Sequence, residues 1–414
     1  MKRILLPLLV ASAGLFLLLT GAAQGSSTCD QMRAWLHQGG GSASGLLVVD
    51  AGSGQVLCAS DPGRSRPLAS NMKLFTTSAA LSKLGPEHRI STRVFRDGRV
   101  DSNGVLHGSL YLQGGGDPTL GTPGFYGSYL GGLGTNIFSL TPHVKAAGIT
   151  AITGRLYADD TIFDRRRGVA DSGYATSPYI GPLSGLAFNS GFSGATSASG
   201  FSSDPAKLAA TKLAASLRKA GIGMPSQVAL RPSPPKAARV ALVRSPSLDR
   251  IVDLTDVYSD NFFAETLIKL LGAEFSGAGT TAAGAGVVEA FARSNGSSVQ
   301  AVDGSGLTRS NRSSPREIVD LLLGMQADPA GEEFIQDLAL AGHEGTVASR
   351  MEGTAAYGRC RTKTGTISGV SNLSGYCFNR SGRVMAFSVL MGSVPSTTQA
   401  HLDQDRIAGA VAGY

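Results

Sequence analysis

Three short motifs, set between residues 70 and 365, constrain this chain more than any other feature. They are Ser70-Asn71-Met72-Lys73, Ser259-Asp260-Asn261 and Lys363-Thr364-Gly365. Pro67-Leu68-Ala69 leads into Ser70, and a helical pattern then runs to about Leu84. Three residues along a helix is close to one turn, so the Ser70 hydroxyl and the Lys73 ammonium share a face. At a helix start, the free N–H groups and the dipole favour negative charge developing on the serine oxygen. A lysine desolvated among Leu68, Met72 and Phe75 loses basicity and becomes a usable proton acceptor.

No single motif carries much weight. Two further S-x-x-K matches occur, Ser216 to Lys219 in a polar helix and Ser233 to Lys236 with two prolines, and both read as solvated surface. Ser259-Asp260-Asn261 is the one S-x-N in the chain, and as a bland alternative it caps the helical run that follows. Lys363-Thr364-Gly365, with Thr366 next, is the one K-T-G; its bland alternative is a strand end with a glycine turn. All three in this order, each on a suitable element, form a set that goes with serine acyl-transfer chemistry.

At 414 residues the chain is long for one core and suggests two or three domains at roughly 150 residues each. With 42% hydrophobic residues it can bury real cores. Leu46 to Asp50 and Gln55 to Ala59 flank Ala51-Gly52-Ser53-Gly54 and read as a hairpin. From about Ile90 the texture changes. Asp97-Gly98 and Asn103-Gly104 punctuate short strands, Gly114 to Gly134 reads as a glycine-rich loop, Asp204 to Ala220 as a helix, and Val228 to Val243 as strand around a proline kink. Helical pattern returns after Ser245 and runs through Asn261 to Leu271, then recurs at Pro315 to Met325 and Glu332 to Leu340. Strands at Cys360 to Thr366, Leu373 to Phe378 and Val384 to Met391 precede a last helix over Gln399 to Val411. The expected division is a leader over 1–25, a catalytic domain in two parts, 26–89 and 246–414, and an inserted accessory region over 90–245.

Lys2 and Arg3 followed by the apolar run Ile4 to Leu19, with Ala23-Gln24-Gly25 as a small-x-small site, read as an export signal; the alternative is an uncleaved membrane anchor. Losing Lys2 and Arg3 takes the formal charge from +7 to +5. That mild excess is not gathered into a basic run. It argues against nucleic acid and leaves anionic wall polymers, or peripheral attachment to a membrane surface, open. Four cysteines in an exported chain suggest disulfides, with three possible pairings. Closeness in sequence favours Cys29–Cys58 and Cys360–Cys377. In the second pair the two residues fall opposite each other if their strands pair antiparallel around a turn near Ser368 to Ser371. No Cys or His spacing reads as a metal site, so no metal or other cofactor is expected.

Here the chain resembles the class C low-molecular-mass penicillin-binding proteins, the D-alanyl-D-alanine carboxypeptidases and endopeptidases. Beyond the three motifs, the resemblance rests on Gly114-Gly115-Gly116-Asp117-Pro118-Thr119-Leu120, on Tyr258 before Ser259 with Ala264-Glu265 after it, on Asp303-Gly304-Ser305-Gly306-Leu307, and on Leu373-Ser374-Gly375-Tyr376. It implies an α+β fold: a penicillin-binding/β-lactamase-like catalytic domain, an antiparallel sheet flanked by helices, with an inserted, mostly β accessory region between Ser70 and Ser259. It also implies roles. Ser70 attacks the carbonyl between two D-alanines, Lys73 takes its proton, Ser259 relays a proton to the leaving D-alanine, and Asn261 holds Lys73 and the substrate amide. Lys363 supplies positive potential, Thr364 or Thr366 binds the terminal carboxylate, and the backbone N–H groups of Ser70 and Thr366, the latter beyond Gly365, form an oxyanion hole. Peptidoglycan stem peptides are the implied substrates and β-lactams the implied covalent inhibitors.

Other readings stand beside this one. A β-lactamase carries an E-x-x-N segment between the second and third motifs, and none lies between Asn261 and Lys363. A catalytically idle wall-binding protein on the same fold would not need every motif residue intact. An esterase or amidase on a related fold remains a third possibility. Ser305 reads as part of a structural turn, and no G-x-S-x-G elbow anchors an α/β-hydrolase triad.

Overall fold

The computed structural model describes the backbone of residues 13–414 and the side chains from Ser27 onward. Much of the leader read over 1–25 therefore lies outside the described residues. Among the described residues, no helix is long and apolar enough to cross a membrane.

Strand Gly45–Asp50 shows how the main sheet is covered on both faces. Alternate residues of a strand point to opposite sides. Leu46 and Val48 pack with Met32, Leu36, Phe387, Val389 and Ile407, while Leu47 and Val49 pack with Leu68, Phe75, Ile318 and Leu390. This strand is fifth in a six-stranded antiparallel sheet. The order is Ala339–Leu340, Cys360–Ile367, Val370–Phe378, Val384–Gly392, Gly45–Asp50, Val56–Ser60. Helices Ala13–Gly40 and Thr397–Ala412 cover one face. Met72–Leu84, Leu248–Val257, Asn261–Ser276, Thr281–Ser294 and Pro315–Gln326 build the core on the other.

Strands of the middle region form a sheet of their own, in the order Val228–Leu230, Leu156–Asp159, Val105–Gln113, Ser91–Val100, Ala238–Arg244. Val94, Leu106, Leu110, Leu112 and Leu156 bury one face against helices Leu140–Ala146 and Pro205–Lys219. The helix Pro205–Lys219 offers Ala206, Ala209, Ala210, Leu213 and Leu217, a helical stripe started by Asp204, whose side chain accepts from Lys207 N.

Three local readings need correction. Asp97-Gly98 is no break: it lies inside the ten-residue strand Ser91–Val100. Gly98 faces Gly108 across the ladder, and a Cβ on Gly98 would sit 2.2 Å from the His107 carbonyl oxygen, so the glycine serves a close approach rather than a turn. The glycine-rich segment 114–134 holds a helix, Pro123–Tyr129, capped by Thr122 with proline at its start. The helix read over Glu332 to Leu340 is Gly331–Gln336, and Ala339–Leu340 joins the sheet edge.

Both disulfides form as paired above. Cys29–Cys58 ties the first helix to the sheet edge, and Cys360 and Cys377 are register partners on adjacent strands, with Cα atoms 4.0 Å apart. Closing so short a loop is worth about 3 kcal/mol in the chain-entropy model. Replacing both Cys360 and Cys377 with alanine is therefore expected to lower stability by about that amount, read as a shift in the urea midpoint. An unchanged midpoint would show the sheet already enforces that register.

Candidate active site

The Ser70 turn is locked against the strand carrying Lys363. Ser70 lies in the single turn Ala69–Asn71 that opens helix Met72–Leu84. Asn71 Nδ2 donates to Lys363 O at 2.9 Å, and Ser374 Oγ donates to Asn71 Oδ1 at 2.8 Å. Asn372 Nδ2 donates to Leu68 O at 2.7 Å. A Cβ on Gly365 would lie 2.9 Å from Leu68 O and 3.1 Å from Ser70 N, so a glycine lets the strand lie this close to the turn.

Behind Ser70, the fully buried Lys73 Nζ donates to three acceptors: Ser70 Oγ at 3.2 Å, Asn261 Oδ1 at 2.7 Å and Ser305 O at 2.8 Å. Burial lowers its pKa to about 8, while Asp256, Asp260, Glu265 and Asp303 pull the other way. Asn261 is the first residue of its helix, where the Asp260 side chain accepts from Phe263 N as the cap. Asn261 Nδ2 donates to Tyr179 O at 3.1 Å, tying the site to a turn of the middle region.

Ser259 and Ala69 both hold positive φ, 59° and 47°. Such conformations cost of order 1–3 kcal/mol each and persist where surrounding structure enforces them. Lys363 is fully buried; burial and the charge of Lys73 lower its pKa, and Asp256 opposes this. Ser70, Ser259, Thr364 and Thr366 line a cavity of 230 Å³ together with Thr346, Arg350 and His401. A hydroxyl against a desolvated amine at the foot of such a cavity can be deprotonated and can attack a bound acyl group.

Ser305 is more than a turn residue, because its carbonyl holds Lys73. The loop carrying it is fixed by Glu265 Oε1, which accepts from Gly304 N at 3.0 Å and Ser305 N at 2.8 Å. Burial and the neighbouring Asp303 raise the Glu265 pKa. Sequence reasoning also passed over Asn71, Tyr179, Thr346, Arg350 and His401. Ser305 and Tyr179 act through backbone carbonyls, which no side-chain motif announces. Among the described residues, no group of three or more His, Cys, Asp or Glu side chains is placed to hold a metal ion. Ser216 of the second S-x-x-K bonds Thr141 in the middle region, away from this cavity.

This sheet and its covering helices are the fold of penicillin-binding proteins. The structure is similar to penicillin-binding protein 4 from Haemophilus influenzae, with a TM-score of 0.78 at 19% identity over 92% of this chain and 99% of that one. It is also similar to a predatory peptidoglycan endopeptidase from Bdellovibrio bacteriovorus, with a TM-score of 0.53 at 20% identity over 84% of this chain and 85% of that one. The model of the D-Ala-D-Ala carboxypeptidase 3 (S13) family matches residues 30–200 and 193–412, and the chain belongs to that family. The D-alanyl-D-alanine carboxypeptidase of an Actinomadura species is 31% identical over 90% of this chain and 82% of its own length. Carboxypeptidase DacB of Mycolicibacterium smegmatis is 30% identical over 86% of this chain and 78% of its own.

Proposed function

We propose that this protein is a serine-type D-Ala-D-Ala carboxypeptidase/endopeptidase of the bacterial envelope, acting on peptidoglycan stem peptides through a Ser70 acyl-enzyme. The observation that carries this reading is the bridging position of Lys73 Nζ between Ser70 Oγ, Asn261 Oδ1 and Ser305 O. In its neutral form the amine accepts the Ser70 proton as Oγ bonds to the carbonyl carbon of the penultimate D-alanine. Backbone N–H groups of Ser70 and Thr366 receive the oxyanion, a contribution of about 3–4 kcal/mol per donor. The C–N bond then breaks, Ser259 passes the proton to the departing amine, and water hydrolyses the ester. Lys363 acts from behind the cavity wall as a positive potential. β-Lactams, which carry a strained amide in place of the peptide bond, acylate the same oxygen.

Residues 90–245 are an accessory insertion in the catalytic domain, and 1–25 an export leader. Two disulfides suit an oxidising compartment outside the cytoplasm. The test is purified protein with a D-Ala-D-Ala-terminated peptide and with fluorescent penicillin. Release of D-alanine and a long-lived adduct on the peptide containing Ser70 are expected. Rapid penicillin turnover would instead mark a β-lactamase, and no adduct an idle wall binder.

The acylation rate is expected to rise with pH and reach half its plateau near pH 8. The neutral lysine is the base, and it is scarce below its pKa and abundant above it. A flat profile for penicillin acylation between pH 6 and 9 would rule out proton transfer to Lys73.

A further inference from the structure

The positive charge of this chain, spread thinly along the sequence, is concentrated in its middle region. Residues 90–245 hold sixteen Lys and Arg against eight Asp and Glu, while the remainder holds 21 against 22. In the fold, part of that excess collects on one face of the middle sheet. Register partners in a sheet share a face. Arg239 pairs with Phe95, Phe95 with Tyr111 and Tyr111 with Tyr157, so these four side chains stand on one side. Arg93, two residues before Phe95, and Arg244, opposite Ser91, stand on that side too. Val94, Leu112, Ala158 and Ala241 face the buried core on the other.

Arg239 and Arg244 are exposed on the edge strand Ala238–Arg244, and Arg93 is half-buried beside them. Burial, then repulsion from Arg239 and Arg244, lowers the Arg93 pKa, and Glu274 opposes this. A fourth cation comes from the link 231–237. This link joins strands at opposite edges of the sheet and crosses the same face, where Ser233 N donates to Asp159 Oδ2 at 2.8 Å. Its Arg231 lies over the Tyr157 ring, 5.5 Å from the centroid, and Tyr157 stacks on Tyr111 at 5.1 Å. Among the described residues, none of these four arginines has an ion-pair partner within 4.0 Å. The acids nearby are Asp97, on the same face, and Glu274, from helix Asn261–Ser276.

We propose that this arginine-bearing face docks a linear phosphodiester polymer of the cell envelope and so holds the enzyme against its wall. Arg239 and Arg244 stand roughly 15 Å apart along one strand, with Arg93 between them on the next, a row that matches successive charges on an extended chain. A phosphodiester offers two charged oxygens to a guanidinium fork. The ring beneath Arg231 fixes a further cation at the end of the row. A membrane surface fits less well. Interfacial binding also buries apolar side chains, and among the described residues no large exposed hydrophobic lies on this sheet or on 231–237. None of the four arginines lines the Ser70 cavity, so the inference stands apart from the reaction assigned there.

Titrating the purified protein with lipid-free synthetic poly(glycerol phosphate) tests this. Affinity is expected to fall with salt at a log–log slope of about −3, as for four phosphates neutralised on a single-stranded polyanion. In Arg93→Gln/Arg239→Gln/Arg244→Gln the slope should flatten to about −1, and binding at about 0.1 M salt should weaken about 100-fold. Arg93 is half-buried, so the exposed pair Arg239→Gln/Arg244→Gln is the second variant, with a loss of about 25-fold expected. Lys207→Gln/Arg218→Gln/Lys219→Gln removes the same charge as the arginine triple from helix Pro205–Lys219, which covers the opposite face. It should bind within about 3-fold of the parent, because separated surface charges are screened. Four results would overturn the proposal: no binding, unaltered binding in the exposed pair, equal weakening in both triple variants, or tighter binding to phosphatidylglycerol vesicles than to the polymer. The last would assign the face to a membrane.

Discussion

Ser70→Ala is expected to abolish covalent labelling by β-lactams and to cut peptide hydrolysis by about 10⁴-fold or more. In the proposed mechanism this residue supplies the oxygen that forms the ester; its Oγ lies 3.2 Å from Lys73 Nζ, on a turn fixed to the Lys363 strand by Asn71 and Asn372. Stability should change little. The lost hydroxyl makes one hydrogen bond, to a lysine that keeps two further acceptors, so the effect is within about 1 kcal/mol. Intact-mass measurement after penicillin treatment checks the adduct, and a melting curve checks the fold. A full-stoichiometry adduct in this variant would show that the nucleophile lies elsewhere.

Lys73→Arg should be almost as damaging, by about 10³-fold in the acylation rate, although it preserves the charge. A guanidinium stays protonated at any usable pH and cannot accept the Ser70 proton. It is also larger than the ammonium, which is fully buried with three acceptors within 3.2 Å. Stopped-flow acylation by a chromogenic β-lactam gives the rate. Near-normal acylation would mean that Lys73 works as a fixed charge and that another group takes the proton.

The sheet strands, the disulfide pairings and the meeting of the three motifs were legible because each depends on side-chain pattern. Leu46 to Val49 alternate between two apolar partners, and Cys360 faces Cys377 by simple counting around the turn. What escaped has a physical reason. Helix Thr281–Ser294 carries Gly284 and Gly286, residues that weaken a helical signal. Gly284 is needed because a Cβ there would strike the Ile268 carbonyl oxygen at 1.7 Å, where two helices cross closely. In the site, Ser305 and Tyr179 were hidden because they act through carbonyls, and Arg350 because its place on the cavity wall is set by bonds to Gln404 and Asp405 more than fifty residues away.

The sheet order has a consequence for how the chain is made. Strand Gly45–Asp50 pairs directly with Val384–Gly392, Gly45 opposite Leu390, so strands from opposite ends of the chain meet in the middle of the sheet. Contacts so distant along the chain form late and fold slowly. As synthesis proceeds from the N-terminus, the segment with Ser70 emerges long before the strands that face it. Without Cys360–Ile367 there is no wall opposite the nucleophile, and without Val384–Gly392 the strand Gly45–Asp50 has no partner on that side. A chain cut before Cys360 therefore holds the Ser70 turn without Thr364 and Thr366, which line the same cavity.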